Sequence, residues 1–268
     1  MNSFRRISER AHLHDRVTRE LALSAMQAEQ HSERTSYPNE AQLCQQLGVS
    51  RTVLRESMKV LVDKGLIEIR PRTGTRVRPR SEWHLLDPDI LAWQAELKPD
   101  ARFLRDLCEV RLAIEPTAAG FAAVRATAEE LDTIARCLSE RQALGKTPKL
   151  DQVIDVDLHF YHLVVAAGHN PLLNNLSLTI REPFRTMLLY TSRFPANLAL
   201  EAEAQRRILD TLRRKDPTAA RKAAEHAVAL AMLAVEEALR AEHKKTKTEV
   251  QRSSAAATDA KRLEFTGL

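Results

Sequence analysis

The sequence predicts a mainly α-helical protein in which one short β-hairpin separates an N-terminal group of helices from a longer helical bundle. Only 7 of the 268 residues are Gly and 4% are aromatic, while Ala, Leu, Arg and Glu, which lose little entropy in a helix, are abundant. Apolar residues make up 44% of the chain and charged residues 29%, a balance typical of folded globular proteins rather than disordered or collagen-like ones. These observations disfavour an all-β fold.

The positive charge is concentrated near the N-terminus. The chain carries a formal charge of +5, and residues 1–80 hold 15 Lys or Arg residues against 9 Asp or Glu residues. The remainder has 26 basic and 27 acidic residues, so it is close to neutral. Because attraction to a polyanion depends on the local field, this asymmetry predicts a module that binds nucleic acid, joined to a neutral one. The alternative is a basic terminus without such a role.

Cysteine usage and hydropathy indicate a cytoplasmic protein. Cys44, Cys108 and Cys137 are odd in number and form no CxxC pair, so we expect buried thiols rather than disulfides or a zinc ribbon. No apolar run approaches the about 20 residues of a membrane span. The first residues also lack the apolar core of a signal peptide.

Helix-capping signals divide the first 65 residues into three helices. Residues 8–30 have amphipathic spacing and predict the first. Asn39 can cap the second, with Gln42 as the reciprocal partner of a capping box. Ser50 can cap a third helix, which we expect to end before Gly65. Two short helices joined by a tight Gly-containing turn predict a helix-turn-helix.

The third predicted helix has one apolar face and one basic face. Arg51, Arg55 and Lys59 recur at i, i+4 and i+8, opposite the apolar residues Val53, Leu54, Val60 and Leu61. Guanidinium groups at this spacing suit the major groove of DNA, where they bind guanine edges or phosphates bidentately. The alternative for this helix alone is an ordinary solvated face.

A two-stranded wing follows the third helix. Residues 66–70 and 75–78 predict strands, and residues 71–74 predict the turn between them. A Gly at the tip allows close approach of the backbone to a groove or phosphate. Five arginines lie within eleven residues here: Arg70, Arg72, Arg76, Arg78 and Arg80.

The stretch YPNEAQLCQQLGVSRTVLRESMKVLVDKGLIEIRPRTGTRV resembles the winged helix of the GntR family of bacterial transcription regulators. The resemblance implies DNA contacts from the start of the third helix and from the wing. The predicted DNA-binding residues are Ser50, Arg51, Thr52, Arg55, Arg72, Thr73, Gly74 and Thr75. The family often has Arg after the acid of the second helix, whereas here Ala41 follows Glu40, so one customary contact is absent.

Four segments are predicted: a DNA-binding domain at 1–81, a linker at 82–99, a helical domain at 100–243 and a disordered tail at 244–268. The linker contains Trp83 and Trp93, which we expect to pack between the domains. Its WxxxDxDxLxW arrangement is similar to that of sugar-acid-responsive members of the family, including galactonate-responsive repressors. The tail is polar and lacks apolar periodicity.

From residue 100 onward, short breaks separate six or seven helical patterns, which predict an antiparallel bundle. The strings FLRDLCEVRLAIEPTAAGFAA, DVDLHFYHLVVAAGHNPLL and RRILDTLRRKDPTAARKAAEHA resemble the effector-binding FCD domain of the FadR-like GntR subfamily. That resemblance implies a pocket for a small carboxylate inside the bundle, commonly beside a metal held by one Asp and three His.

Most of the implied metal ligands are missing. At the four positions stand Asp157, Tyr161, Gln205 and Ala227, and neither a phenol nor an amide replaces imidazole well on a first-row metal. We therefore assign no metal cofactor to these positions, and a divalent metal stays open as an alternative. A rival set, reached by a one-residue shift of the alignment, comprises Asp155, His159, His162 and His226; the alternative for these is a surface or interface location.

Arg111 is the strongest candidate for the effector pocket. The family commonly points an Arg inward at this position, and a buried guanidinium needs an anionic partner or ligand. The alternative is a permanent salt bridge to Glu115 or Asp157. The predicted effector-binding residues are Arg111, Asp157, Tyr161 and Gln205, whose polar groups suit a polyhydroxylated carboxylate such as a sugar acid.

Together these patterns predict a transcription regulator rather than an enzyme. We expect a homodimeric repressor that binds an inverted repeat in double-stranded DNA, responds to a small carboxylate and does not associate with membranes. The sequence contains no Gly-rich phosphate loop, nucleophile elbow or HExxH motif. The alternative from another class is a metal-dependent hydrolase or isomerase built on the bundle, with the N-terminal module as an accessory.

Overall fold

The structure, a computed structural model, describes residues 9–30, 37–70, 74–97, 100–144 and 149–265, without side-chain detail for 9–12, 195 and 245–265. The described residues form eleven α-helices, one 3₁₀ turn and two β-strands. The chain folds as two compact units. The first comprises Met1–Asp100 and Thr179–Pro183, and the second comprises Ala101–Leu178 and Phe184–Leu268. None of the described helices is long and apolar enough to cross a membrane.

The first unit has the winged-helix order that the sequence predicts. Its elements are α1 (Glu9–Gln30), α2 (Glu40–Leu47), α3 (Arg51–Asp63), β1 (Ile67–Arg70), β2 (Gly74–Val77), a 3₁₀ turn (Arg80–Glu82) and α4 (Pro88–Glu96).

Local capping interactions fix the start of α2 and of α3. The Asn39 side chain accepts from the Gln42 backbone N–H at 3.0 Å, and the Gln42 side chain accepts from the Asn39 N–H at 3.2 Å, so the predicted capping box is confirmed. Gly48 ends α2 at a φ of +66°, in the left-handed region that favours Gly. Ser50 then accepts from the Val53 N–H at 3.4 Å and caps α3.

The wing is an antiparallel hairpin, and each strand begins or ends within one residue of the prediction. Ile67 pairs with Val77 and Arg70 with Gly74. Gly65, between α3 and β1, has a φ of +78°, and a Cβ there would lie 2.5 Å from the Glu82 carbonyl oxygen. Any larger residue would therefore clash with the backbone, which explains why this position holds Gly.

Residues 82–97 of the predicted linker, 82–99, are structured, and Lys98 and Pro99 lie outside the described residues. Asp87 caps α4, Pro88 takes its first turn, and α4 packs on α1 within the first unit. Trp83 and Trp93 belong to the apolar core of that unit, so the prediction that they pack between domains is wrong. The Pro–Asp composition that suggested a linker instead starts a helix, because Asp is a good N-cap and Pro fits the first helical position.

An ion-paired lysine joins the end of α3 to the start of α4. Lys64 Nζ lies 2.7 Å from both Asp87 carboxylate oxygens and 2.8 Å from Asp89 Oδ2, and 5.7 Å from the Trp93 ring centroid. Burial lowers the pKa of Lys64, but the two carboxylates outweigh it and the net shift is upward.

The second unit is a helical bundle of seven helices, which confirms the predicted architecture. They are α5 (Ala101–Arg125), α6 (Ala128–Ala143), α7 (Leu150–Ala166), α8 (Pro171–Thr179), α9 (Arg181–Thr191), α10 (Pro195–Arg213) and α11 (Pro217–Phe265). The central helix α5 packs along α7, α10 and α11.

The last helix corrects the prediction of a disordered tail at 244–268. The backbone of α11 continues to Phe265, because Ala, Lys, Glu, Arg and Leu in this segment favour helix even without apolar periodicity. Apolar patterning predicts burial, and its absence does not exclude a helix.

Two of the three predicted buried thiols lie in the core of the second unit. Cys108 and Cys137 are buried and Cys44 is half-buried, and all three are free. Burial raises the pKa of Cys137 to about 11, so this thiol stays protonated and unreactive near neutral pH.

We predict that Lys64→Met destabilises the first unit by about 1–3 kcal/mol, because it leaves the partly buried Asp87 carboxylate without its cation. Urea unfolding followed by tryptophan fluorescence measures this directly, since both Trp residues of the chain lie in that unit's core. Lys59→Met, at an exposed position of the same helix, is the control. Equal unfolding midpoints for the two variants would contradict the prediction.

Candidate functional site

The third helix presents the two faces that its sequence predicts. Leu54, Ser57, Met58 and Leu61 are buried, whereas Arg51, Arg55 and Lys59 are exposed. The predicted apolar residues Val53 and Val60 are half-buried. The exposed side of α3 therefore carries a basic surface, which we call the α3 basic face: Arg51, Arg55 and Lys59.

A carboxylate from α2 lies beside this basic face. Glu40 Oε2 is 3.1 Å from Arg55 Nε, and Glu40 Oε1 is 4.0 Å from Arg51 Nε. The Arg51 and Arg55 side chains remain 73% and 70% exposed, so each ion pair contributes little to stability. Glu40 thus accepts a hydrogen bond from Arg55 and lies near Arg51, while both guanidinium groups stay accessible to another anion.

The other predicted DNA-binding residues occupy different environments. Thr52 is exposed next to Arg51, and Ser50 uses its hydroxyl to cap α3. Gly74 is exposed at a φ of +83°. Thr75 is only 8% exposed, and its carbonyl accepts from the Tyr37 N–H at 3.0 Å, so its side chain is the least accessible of the described set. Arg72 and Thr73 lie outside the described residues.

The arginines of the wing and of the residues after it differ in exposure and in their ion-pair partners. Arg76 is exposed. Arg78 pairs with Glu82, and Arg80 is buried and pairs with Asp100 at 3.2 Å. The sequence alone places all five arginines in one basic cluster. In the structure, the buried Arg80 instead forms an ion pair with Asp100, the last residue of the first of the two segments that make up this unit.

A second cluster of functional groups is buried inside the bundle. Arg111 has no exposed surface, and its Nε and Nη2 donate to the two Glu115 carboxylate oxygens at 2.6 and 3.2 Å. Its guanidinium lies 3.7 Å from the Phe184 ring centroid and 5.3 Å from that of Tyr161. The salt bridge to Glu115 that the sequence left open is therefore present.

Asp157 is held by two donors from other helices. Arg141 Nε of α6 donates to Asp157 Oδ1 at 2.8 Å, and Gln205 Nε2 of α10 donates to the same oxygen at 3.0 Å. Asp157 is 1% exposed. Burial raises its pKa, and Arg141 and Gln205 oppose that shift without cancelling it.

Tyr161, one turn after Asp157, donates its hydroxyl proton to Glu201 Oε1 at 2.6 Å. Desolvation, together with the nearby Asp157 carboxylate, raises the pKa of Glu201 to about 7, against the opposing effect of Arg111. These contacts define one connected group, the polar centre: Arg111, Glu115, Arg141, Asp157, Tyr161, Glu201 and Gln205.

Two buried atoms of the polar centre make no hydrogen bond in the described structure: Arg111 Nη1, a donor, and Gln205 Oε1, an acceptor. Unsatisfied buried polar atoms are costly, so such atoms are often completed by a ligand or water. Glu201 also lines a small cavity of about 20 Å³ with Thr191, Ser192 and Asn197, which is enough for one water molecule.

All four predicted effector residues are thus brought together, whereas the rival metal set is not. Asp155, His159 and His226 are exposed, and Asp155 pairs with Arg185. His162 is half-buried. Among the described side chains, no three His, Cys, Asp or Glu residues are placed to hold a metal ion.

Sequence reasoning missed Arg141 and Glu201 as members of the polar centre and had Glu115 only as a partner of Arg111. On an amphipathic helix a charged residue usually marks the solvated face. A charged residue that is buried instead can be recognised only when the helices that pack against it are known.

Family models match both units of the chain. Residues 32–77 match the model described as bacterial regulatory proteins, gntR family, and residues 106–230 match the FCD domain. Both ranges contain the sites described above.

Curated relatives agree with these matches. The galactonate operon transcriptional repressor of Escherichia coli K12 is 33% identical over 188 residues, which is 70% of this chain and 81% of that protein. The HTH-type transcriptional regulator YieP of the same strain is 30% identical over 189 residues, with the same coverage of 70% and 81%. The Glc operon transcriptional activator of E. coli K12 is 32% identical over 140 residues, covering 51% of this chain and 53% of that protein.

A solved structure of Lar, which controls expression of the Listeria monocytogenes agr system, covers 88% of this chain and 99% of its own with a TM-score of 0.52. At 15% identity, it supports the fold alone. The matched families and relatives are transcription regulators, which argues against the enzyme alternative. This chain is a transcription regulator of the GntR family, with an N-terminal winged helix and an FCD domain.

Proposed function

We propose that this regulator is a homodimeric repressor that binds an inverted-repeat operator and is controlled by a small hydroxylated carboxylate, such as a sugar acid, in the polar centre. The observation that carries the proposal is the pair of buried, unsatisfied atoms, Arg111 Nη1 and Gln205 Oε1. They offer one donor suited to a carboxylate and one acceptor suited to a hydroxyl group.

The DNA-binding part of the proposal rests on the α3 basic face. Arg51 and Arg55 extend from the first turns of the helix, where recognition helices contact base edges, and Thr52 is exposed beside them. Gly74 presents an accessible backbone at the wing. Glu40 has to give up its ion pairs when a phosphate binds, but these are exposed pairs of small net value.

The effector part rests on charge balance in the polar centre. Arg111 and Arg141 face Glu115 and Asp157, while the pKa of Glu201 near 7 leaves this group partly protonated at neutral pH. A carboxylate ligand would add a negative charge and raise the pKa of Glu201 further. Ligand binding would then be accompanied by proton uptake at Glu201.

The size of the cavity implies movement on binding. A space of about 20 Å³ beside Glu201 holds a water molecule but not a sugar acid, so under this proposal the space around Glu201 widens when the ligand binds. A ligand that prefers one arrangement changes DNA affinity only to the extent of that preference.

The extent of similarity to two relatives supports repression. One relative that aligns with 70% of this chain is a repressor of a galactonate operon, whereas the activator aligns with 51%. The more extensive similarity favours repression and a sugar acid.

Arg51→Ala or Arg55→Ala should weaken binding to the cognate operator by about 1–3 kcal/mol if the residue contacts a base. Arg206→Ala, at a half-exposed position of the second unit, is the matched control. Gel-shift titrations with the promoter of the protein's own gene and with random DNA measure the effect. A phosphate contact would weaken both DNAs alike, and equal affinity of the native protein for both would contradict operator recognition.

A homodimer should have twice the 30.3 kDa mass of the chain and protect two half-sites related by two-fold symmetry. Light scattering coupled to gel filtration, together with DNA footprinting, tests this expectation. A single-chain mass with an asymmetric footprint would exclude the dimer.

Galactonate or a related sugar acid should raise the melting temperature (Tm) of the native protein, and the affinity should increase as the pH falls from about 8 to about 6 because binding takes up a proton. Gln205→Leu removes the unsatisfied acceptor and should weaken binding at least about tenfold. Thermal-shift titrations with sugar acids, with lactate as a shorter hydroxy acid, measure both effects.

His159→Ala, at an exposed position on α7, controls for general effects of substitution on thermal shifts. No response of the native protein to any carboxylate would contradict the effector proposal. A response that is unchanged in Gln205→Leu would place the ligand elsewhere.

A further inference from the structure

The family resemblance implies a metal ion at the four positions occupied here by Asp157, Tyr161, Gln205 and Ala227. Whether these residues fit such an ion depends on the chemistry of their donor atoms and on the hydrogen bonds that these atoms already make.

Three of the four positions do not supply a ligand. Ala227 has no donor atom. Tyr161 is a phenol whose pKa is raised well above its usual value by burial and by Glu201, and it donates its proton to that carboxylate. Gln205 turns its amide nitrogen toward Asp157, and a first-row metal prefers imidazole to an amide oxygen.

The remaining position, Asp157, already has a cation. Arg141 Nε lies 2.8 Å from Asp157 Oδ1, and Arg141 Nη2 donates to the Leu198 carbonyl at 3.3 Å. The Arg141 side chain is 12% exposed. Because the guanidinium is always protonated, its charge at this place is permanent.

We propose that the Arg141 guanidinium is the resident cation of the polar centre and holds the Asp157 carboxylate in place of a divalent metal. The FCD domain of this chain then folds and binds its ligands without metal. The inference does not depend on the identity of the effector.

The proposal separates two roles within the polar centre. Arg141 neutralises Asp157 and connects α6 with α7 and α10, through Asp157 and the Leu198 carbonyl. Arg111, with Nη1 unsatisfied, remains the donor for an anionic ligand under the function proposed above.

The first test is metal binding by the tag-free full-length protein. After incubation with Zn²⁺ or Ni²⁺ and dialysis, elemental analysis should find no stoichiometric metal that depends on Asp157, and EDTA should leave Tm unchanged. One metal ion per chain in the native protein that is lost in Asp157→Asn would overturn the proposal. Metal retained equally by Asp157→Asn lies elsewhere and agrees with it.

The second test is a double-mutant cycle on the ion pair. Arg141→Met should lower Tm by about 5–10 °C, because it leaves a buried carboxylate without its cation. Adding Asp157→Asn should restore at least about half of that loss, since the neutral amide oxygen can still accept from Gln205. Arg136→Met, at an exposed position of the same helix α6, is the control and should leave Tm nearly unchanged.

The rescue distinguishes a charge partner from a side chain that only packs. If Arg141→Met does not fold, recovery of folded protein in the double variant gives the same result. A double variant no better than Arg141→Met would overturn the proposal. Neither test uses an effector, so failure to find an effector would not contradict this inference.

Discussion

The need to compensate every charge buried in the FCD bundle constrains the rest of that unit. Arg111 has none of its surface in contact with water, and a lone ion in such a place would cost several kcal/mol. Glu115 neutralises it from the next turn of α5, and the rings of Phe184 and Tyr161 cover its faces. Asp157 has the same requirement and meets it with Arg141 and Gln205, so α6, α7 and α10 are fixed around one oxygen atom.

How far the sequence predicts this protein depends on how local each interaction is. The capping box of Asn39 and Gln42 and the cap at Ser50 involve residues three apart, so the N-terminal helices and the wing were predicted nearly to the residue. The contacts of the polar centre join residues 16, 40 and 48 positions apart. Arg141 and Glu201 therefore escaped prediction, because their helices show amphipathic patterns in which charge normally marks the solvated side.

In the first unit, the carboxylate of Glu40 lies beside the α3 basic face. Glu40 comes from the first turn of α2, directly after the Asn39 cap, so the same short motif that starts this helix also places a carboxylate beside Arg51 and Arg55. Because both ion pairs are exposed and weak, each guanidinium can exchange this carboxylate for another anion at small cost.

Because the expected linker contains α4, the first unit extends to Asp100. Leu97 is buried in the core of the first unit, Asp100 is ion-paired to Arg80, and α5 begins at Ala101. The described residues that composition assigns to a tether are therefore part of the folded first unit. A fragment ending at residue 81, where the sequence places the domain boundary, would lose Trp83, Ile90 and Trp93 from its apolar core. It would also expose the surface of α1 that α4 covers, so the stable DNA-binding unit is longer than the winged-helix motif itself.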